Sequence, residues 1–192
     1  MSISEISEQS KLFLLRLARK SIADYLEGMQ EPKVTEKVPK ELLNDHGTFV
    51  TLTINGELRG CIGSIMPRQA IYKDVIENAQ AAAFRDPRFP PLKPEELTQI
   101  SIEISILSLA KKYPYKTAIE LLGKIKEDHP GVILRKGMRS ATFLPQVWEQ
   151  LPDAEDFLMH LCMKAGLPPD AWNDEGDPVN IELYTVESFS ET

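Results

Sequence analysis

The sequence predicts an α+β fold with a largely antiparallel sheet, and three observations carry that reading. Asn55-Gly56 joins two strand-like runs, and Asn-Gly is the pair that best tolerates the positive φ angles of a tight hairpin turn. Ile100, Ile102, Ile104 and Ile106 alternate with Ser101, Glu103 and Ser105, the period-two pattern of a half-buried strand. Apolar residues recur at helical spacing after Ser7, after Pro67 and after Asp153, so helices and strands do not alternate strictly. At 192 residues the chain can bury one sizeable core, as a single domain over 1–192 or as two closely packed lobes whose boundary the sequence does not mark.

Taken in order, Ser7 starts a helix whose Leu15, Ala18, Ile22 and Tyr25 or Leu26 face the core until Gly28. Gln30 to Lys40, with two prolines and several charges, reads as a surface connector. Thr48 to Ile54 is the incoming strand of the hairpin. With a two-residue turn Ile54 faces Glu57, Leu52 faces Arg59 and Val50 faces Cys61. Pro67 introduces a helix over Arg68 to Phe84, with Ile71, Val75, Ala79 and Ala82 or Ala83 on one stripe. Pro87 stops it near Asp86. Ser101 to Leu109 is a strand. Thr117 caps a short helix, Ala118 to Leu122, ended by Gly123. Gly131 to Arg135 and Arg139 to Phe143 form a second hairpin around Lys136-Gly137, and Pro145 opens a helical turn holding Val147 and Trp148. A longer helix from Asp153 or Glu155 places Phe157, Leu158, Leu161, Cys162 and Ala165 on its core face and stops at Gly166. Asn173 to Pro178 is an acidic loop, and Val179 to Phe189 a final strand.

Composition narrows the function. With 42% hydrophobic and 27% charged residues the chain is of the ordinary globular class. It shows no apolar run near the roughly 20 residues that span a bilayer and no secretion signal, which points to the cytoplasm and to reduced thiols at Cys61 and Cys162. His46, His129 and His160 have no ligand spacing with the cysteines, and no Cys-x-x-Cys pair is present, so no zinc or other metal site is expected. The net charge of −7 argues against nucleic acid and anionic membranes. Only residues 56–93 are positive, with six basic and four acidic residues. Any anion belongs there.

That segment holds the densest motif, Leu58 to Gly63, LRGCIG. On the expected register Arg59 and Cys61 share one strand face beside Val50, Leu52 and Ile54, and a guanidinium beside a thiol favours the thiolate. Cys61 and Arg59 are therefore the candidate catalytic pair. Gly60 and Gly63 allow another backbone or a ligand to come close. The segment Arg85 to Pro91, RDPRFPP, is stiffened by Pro87, Pro90 and Pro91 and presents Arg85, Asp86 and Arg88 at low entropic cost. Arg59, Gly60, Gly63, Arg85, Asp86 and Arg88 are the candidate ligand residues, with the three arginines converging on a small anion. Two plainer readings stand beside these: Cys61 as a buried small residue, and Asp86 paired with an arginine in a helix-stop loop.

LRGCIG, AAAFRDPRFPPL at Ala81 to Leu92, FLPQVW at Phe143 to Trp148 and LCMKAGL at Leu161 to Leu167 together resemble the AMMECR-one domain family, in order and over nearly the whole chain. The resemblance implies a compact α+β domain of unequal lobes with LRGCIG as its suspected functional site. It supplies no established reaction or cofactor. It implies a pathway shared with Memo-type and radical S-adenosylmethionine proteins, which are thereby the expected partners. Two functions follow as expectations. One is a thiol-dependent enzyme or substrate-handling component acting on a small anionic substrate, with no histidine assignable as base beyond His46. The other is a binding or scaffold module that uses LRGCIG and RDPRFPP as a groove for a peptide, nucleotide or partner protein.

Overall fold

A computed structural model of the chain describes residues 6–29, 32, 34–174 and 176–191. Among them are four α-helices and two four-stranded antiparallel sheets, an α+β architecture. The chain divides into two compact units: everything up to Leu109 together with the chain from Glu187 on, and Ala110–Val186.

In the first unit, helix α1 (Glu8–Leu26) begins where Ser7 Oγ accepts from the Ser10 amide and buries Leu14, Leu15, Ala18 and Ile22. Tyr25 stays largely exposed, and Leu26 packs at the edge of the core. The connector expected at Gln30 to Lys40 includes positions 30, 31 and 33, which lie outside the described residues. Strands β1 (Thr48–Ile54), β2 (Glu57–Gly63) and β3 (Ile100–Leu107), with the later β8 (Val186–Ser190), form a sheet ordered β2-β1-β3-β8. Helix α2 (Ile71–Phe84) lies on one face, to which Val50, Leu52, Ile102 and Ile104 turn fully buried side chains. It starts three residues later than Pro67 suggests. Ala70 forms an isolated bridge with Asp45, and the Ile71 amide donates to Asn44 O, so residues 68–70 serve the preceding loop.

The second unit holds a sheet ordered β4-β7-β5-β6, made of β4 (Lys111–Lys112), β5 (Gly131–Lys136), β6 (Arg139–Phe143) and β7 (Asn180–Tyr184). Its core gathers Leu121, Ile125, Leu134, Phe157, Leu158 and Leu161, with Trp148 stacked on Phe157 at 4.0 Å between ring centroids. Helix α4 (Ala154–Lys164) starts at Asp153, whose side chain accepts from the amides of Glu155 and Asp156. Two expectations change. The final segment is not one strand: β7 and β8 belong to different sheets. Helix α3 (Ala118–Asp128) does not end at Gly123 but runs to a left-handed His129, because Leu121 and Ile125, one turn apart, are both fully buried.

Gly123 therefore sits inside a helix, with nothing within 4 Å of where a Cβ would stand. Gly123→Ala should raise stability by about 1 kcal/mol. Equilibrium urea unfolding checks this, and a loss of stability would show that the helix breaks at that glycine.

Candidate functional site

The Asn55-Gly56 turn forms as the sequence suggests, with φ of 53° and 82°. The register beyond it does not. Ile54 faces Glu57 and Thr53 faces Leu58, but Leu52 then faces Gly60, leaving Arg59 as an extra residue in a β-bulge. One extra residue turns every later side chain to the other face, so Cys61 stands opposite Thr51, away from the buried row of Val50 and Leu52. Arg59 and Cys61 are thus not aligned two apart on a regular strand. Gly60 takes the inner face, and a Cβ there would lie 2.1 Å from the Ala82 carbonyl oxygen of α2. At Gly63 a Cβ would collide with the Phe49 ring. Both glycines give their space to the protein's own atoms.

β2 is an edge strand, and RDPRFPP closes that edge at Cys61. The Cys61 amide donates to Asp86 Oδ2 at 2.9 Å, and the Cys61 carbonyl accepts from Arg88 Nη2 at 3.1 Å. Both main-chain groups of Cys61 therefore point away from β1. This makes Cys61 and Thr51 a non-hydrogen-bonded pair, the kind whose side chains approach most closely. Thr51 Oγ1 accordingly lies 3.3 Å from Cys61 Sγ and donates to it. Cys61 is half-buried. Asp86 is almost wholly buried and also accepts from Arg88 N, Nε and Nη2, at 3.1, 3.0 and 2.7 Å. The Arg88 guanidinium holds the Asp86 carboxyl well below the usual range; burial opposes this and the Cys61 amide assists it. Arg88 is held in its charged form by Asp86 first, with the Cys61 side chain adding to the effect. The cation bound at Cys61, through its carbonyl, is therefore Arg88, not Arg59.

Arg59 reaches a partner that sequence reasoning missed. Its Nε and Nη2 donate to the two Glu96 carboxylate oxygens at 2.8 and 3.1 Å, and Nη2 also to Pro90 O at 3.0 Å. The pairing lowers the Glu96 pKa. Arg59 Nη1 is buried and has no hydrogen-bond partner among the described residues. Arg85 joins neither arginine: it is exposed, with Nη2 3.4 Å from Glu77 O. The three-arginine convergence is thus absent, since two forks are taken by carboxylates and the third points elsewhere. His46 does not act on the thiol; its Nδ1 donates to Leu107 O at 2.8 Å. Cys162 is fully buried in α4, and burial pushes its thiol pKa up. Among the described residues no group of three or more His, Cys, Asp or Glu is arranged to hold a metal ion.

A second buried carboxylate, also missed, fixes the far end of the motif. Asp74 Oδ2 accepts from Thr48 N, Thr48 Oγ1, Ser64 Oγ and Asn78 Nδ2, at 3.1, 2.7, 2.7 and 3.0 Å. Helix α2 is thereby tied to the start of β1 and to the residue after β2. The only trace of this in the sequence is Asp74 and Asn78 one turn apart on the helix face that carries Ile71 and Val75.

A family model described as AMMECR1 matches residues 15–189. The chain belongs to the AMMECR1 family. Among its relatives, Protein MK0488 of Methanopyrus kandleri is 44% identical over 185 residues, covering 92% of this chain and 84% of that protein. Protein PYRAB00100 of Pyrococcus abyssi is 39% identical, covering 98% and 94%. The crystal structure of the uncharacterized protein PH0010 from Pyrococcus horikoshii superposes with a TM-score of 0.83 at 37% identity, covering 97% of this chain and 93% of that one. None of these names carries an activity. For this AMMECR1 chain, no described helix is long and apolar enough to cross a membrane.

The Asp86 clamp has a pH signature. A folded pKa below the unfolded value of about 3.9 means that the carboxylate stabilises the fold above that pH, and that this stability is lost as pH falls through the folded value. Asp86→Asn should cost about 2 kcal/mol near neutral pH, through lost charge-assisted hydrogen bonds. The gap from wild type should narrow as pH drops below about 4. Urea unfolding of both proteins from neutral to acidic pH measures this, and a constant gap would assign the loss to something other than the charge.

Proposed function

We propose that this protein is a thiol-dependent enzyme or substrate-handling component whose reactive atom is Cys61 Sγ. One observation carries the reading: a half-buried sulfur takes a hydroxyl donor from Thr51, while the Arg88 guanidinium is held at the carbonyl of the same residue and Asp86 at its amide. A donor and a cation that are fixed beforehand stabilise charge developing on sulfur without the cost of ordering them during reaction. Asp86 neutralises part of the Arg88 field, so the effect at sulfur is that of an oriented ion pair rather than a free cation. The cytoplasmic location and the shared pathway with Memo-type and radical S-adenosylmethionine proteins also belong to this proposal. They rest on composition and on the family resemblance alone.

A non-catalytic binding or scaffold module is the second reading, and the internal hydrogen bonds favour it. LRGCIG and RDPRFPP bond directly to each other through Asp86, Arg88 and Arg59, as a structural staple would. Alkylation of the native protein separates the two. Iodoacetamide should modify Cys61 first, with Cys162 labelled only on unfolding, as peptide masses will show. Replacing Arg88 with Gln should slow Cys61 labelling several-fold, because the guanidinium held at that residue is removed. Labelling of Cys61 no faster than of a free cysteine, with no change in the Arg88 variant, would leave the scaffold reading in place.

A further inference from the structure

The Cys61 face carries one carboxylate that none of the described residues neutralises. Cys61, Thr51 and Glu103 stand in one row across β2, β1 and β3, since Thr51 faces Cys61 on one side and Glu103 on the other. Thr51 turns its main-chain groups toward β3, because those of Cys61 turn outward. The two steps along the row are therefore about 4.5 and 5.5 Å between Cα atoms, placing Glu103 roughly 10 Å from Cys61. The Glu103 side chain is half-buried and makes no hydrogen bond or ion pair among the described residues. In this it stands alone. Every other described carboxylate that is buried or half-buried has a partner: Asp24 with Lys20, Glu41 with Ser7 and Ser10, Asp74 with its cluster of donors, Asp86 with Arg88, Glu96 with Arg59, Glu182 with Arg135, Glu187 with Lys11, and Glu191 with Arg19.

The strands themselves cannot supply the missing cation. β1, β2, β3 and β8 contain a single basic residue, Arg59, and it is committed to Glu96. Thr51 has one hydroxyl proton, and it goes to Cys61 Sγ. A partly desolvated carboxylate to which the protein supplies no donor has its acceptor oxygens free for one that a ligand brings, and gains more from it than an exposed carboxylate would. The charge of this face also runs against an anionic ligand, because the arginines near it are already paired and Glu103 is not.

We propose that Glu103 is the recognition carboxylate of the Cys61 face and that it binds the protonated amine of a small ligand whose other end lies over the thiol. The inference rests on Cys61 being the reactive atom, and it replaces the anionic substrate expected from the sequence by a cationic one. Charged methanethiosulfonates test it. The Cys61 thiolate attacks the reagent's sulfenyl sulfur, a disulfide forms, and methanesulfinate leaves. At low ionic strength the cationic aminoethyl reagent should be favoured over the anionic sulfonatoethyl reagent, beyond their ratio on free cysteine. Glu103→Gln should reduce that preference roughly tenfold, as expected for unit charges several ångströms apart at a partly solvated site. Glu57→Gln, which removes the same charge from the exposed hairpin turn, should leave the preference intact. A preference retained in Glu103→Gln, or absent from wild type, overturns the inference. If Cys61 reacts with neither reagent, the thiol reading fails, and melting curves with putrescine and with glutarate decide the rest. A wild-type midpoint raised by putrescine but not glutarate, with no shift in Glu103→Gln, upholds amine recognition; no putrescine shift in wild type rejects it.

Discussion

Four hydrogen bonds converge on the Asp86 carboxylate, one from the Cys61 amide and three from Arg88, and the geometry of the site depends on them. An edge strand exposes unpaired main-chain groups that invite another strand. Asp86 and Arg88 occupy the outward groups of Cys61 and so do for β2 what a neighbouring strand would do. They also fix which way Cys61 turns: with its main chain held outward, its side chain meets Thr51 at close range. Pro87, Pro90 and Pro91 restrict the loop that supplies both residues, so the clamp is formed at small entropic cost.

The bulge at Arg59 is the other constraint. Without it Cys61 would share the inner face with Val50 and Leu52, beneath α2, and its sulfur would be sealed in the core. With it Gly60 lies under α2 instead, where a residue without Cβ lets the helix backbone touch the strand. The run of Ala81, Ala82 and Ala83 in α2 fits the same close packing. The glycine and the cysteine therefore exchange faces because of one inserted residue, and that residue pays for its irregular position by pairing with Glu96.

Much of this was legible in the sequence because the signals are local. Asn-Gly fixed the hairpin, isoleucine alternation marked β3, and Ser7, Thr117 and Asp153 marked helix starts, each within four residues of the structure it governs. A two-residue turn sets the register only as far as the strand stays regular, and nothing in Leu58-Arg59-Gly60 distinguishes a bulge from a regular strand. Gly123 misled for a related reason: glycine is a common stop, yet Leu121 and Ile125 bury enough surface to carry the helix through it. Val179 to Phe189 looked like one strand because strand patterning does not say which sheet each half joins. Glu96 was invisible as the partner of Arg59 because 37 residues separate them and many nearer carboxylates, Glu57, Asp74 and Asp86 among them, were available.

Charge placement offers the sharpest contrast between composition and structure. Residues 56–93 are the only positive segment, which suggests an anion site. The fold uses the part of that positive charge nearest Cys61 internally: Arg88 answers Asp86 within the segment, and Arg59 answers Glu96 just beyond it. Segment charge predicts ligand charge only when the charges stay unpaired, and among the described residues the half-buried carboxylate left unpaired is Glu103, which lies in the strongly acidic remainder of the chain. Its neighbours on the same face of β3 are Ser101 and Ser105, and in the adjacent strand the Thr51 hydroxyl already donates its hydrogen bond to sulfur. A sheet face holds such a row more firmly than a loop would, because β1 is hydrogen-bonded on both sides. A ligand that spans from Glu103 to Cys61 would therefore meet two groups whose spacing is set by the strands themselves, so its length and charge, rather than any movement of the protein, would decide how well it fits.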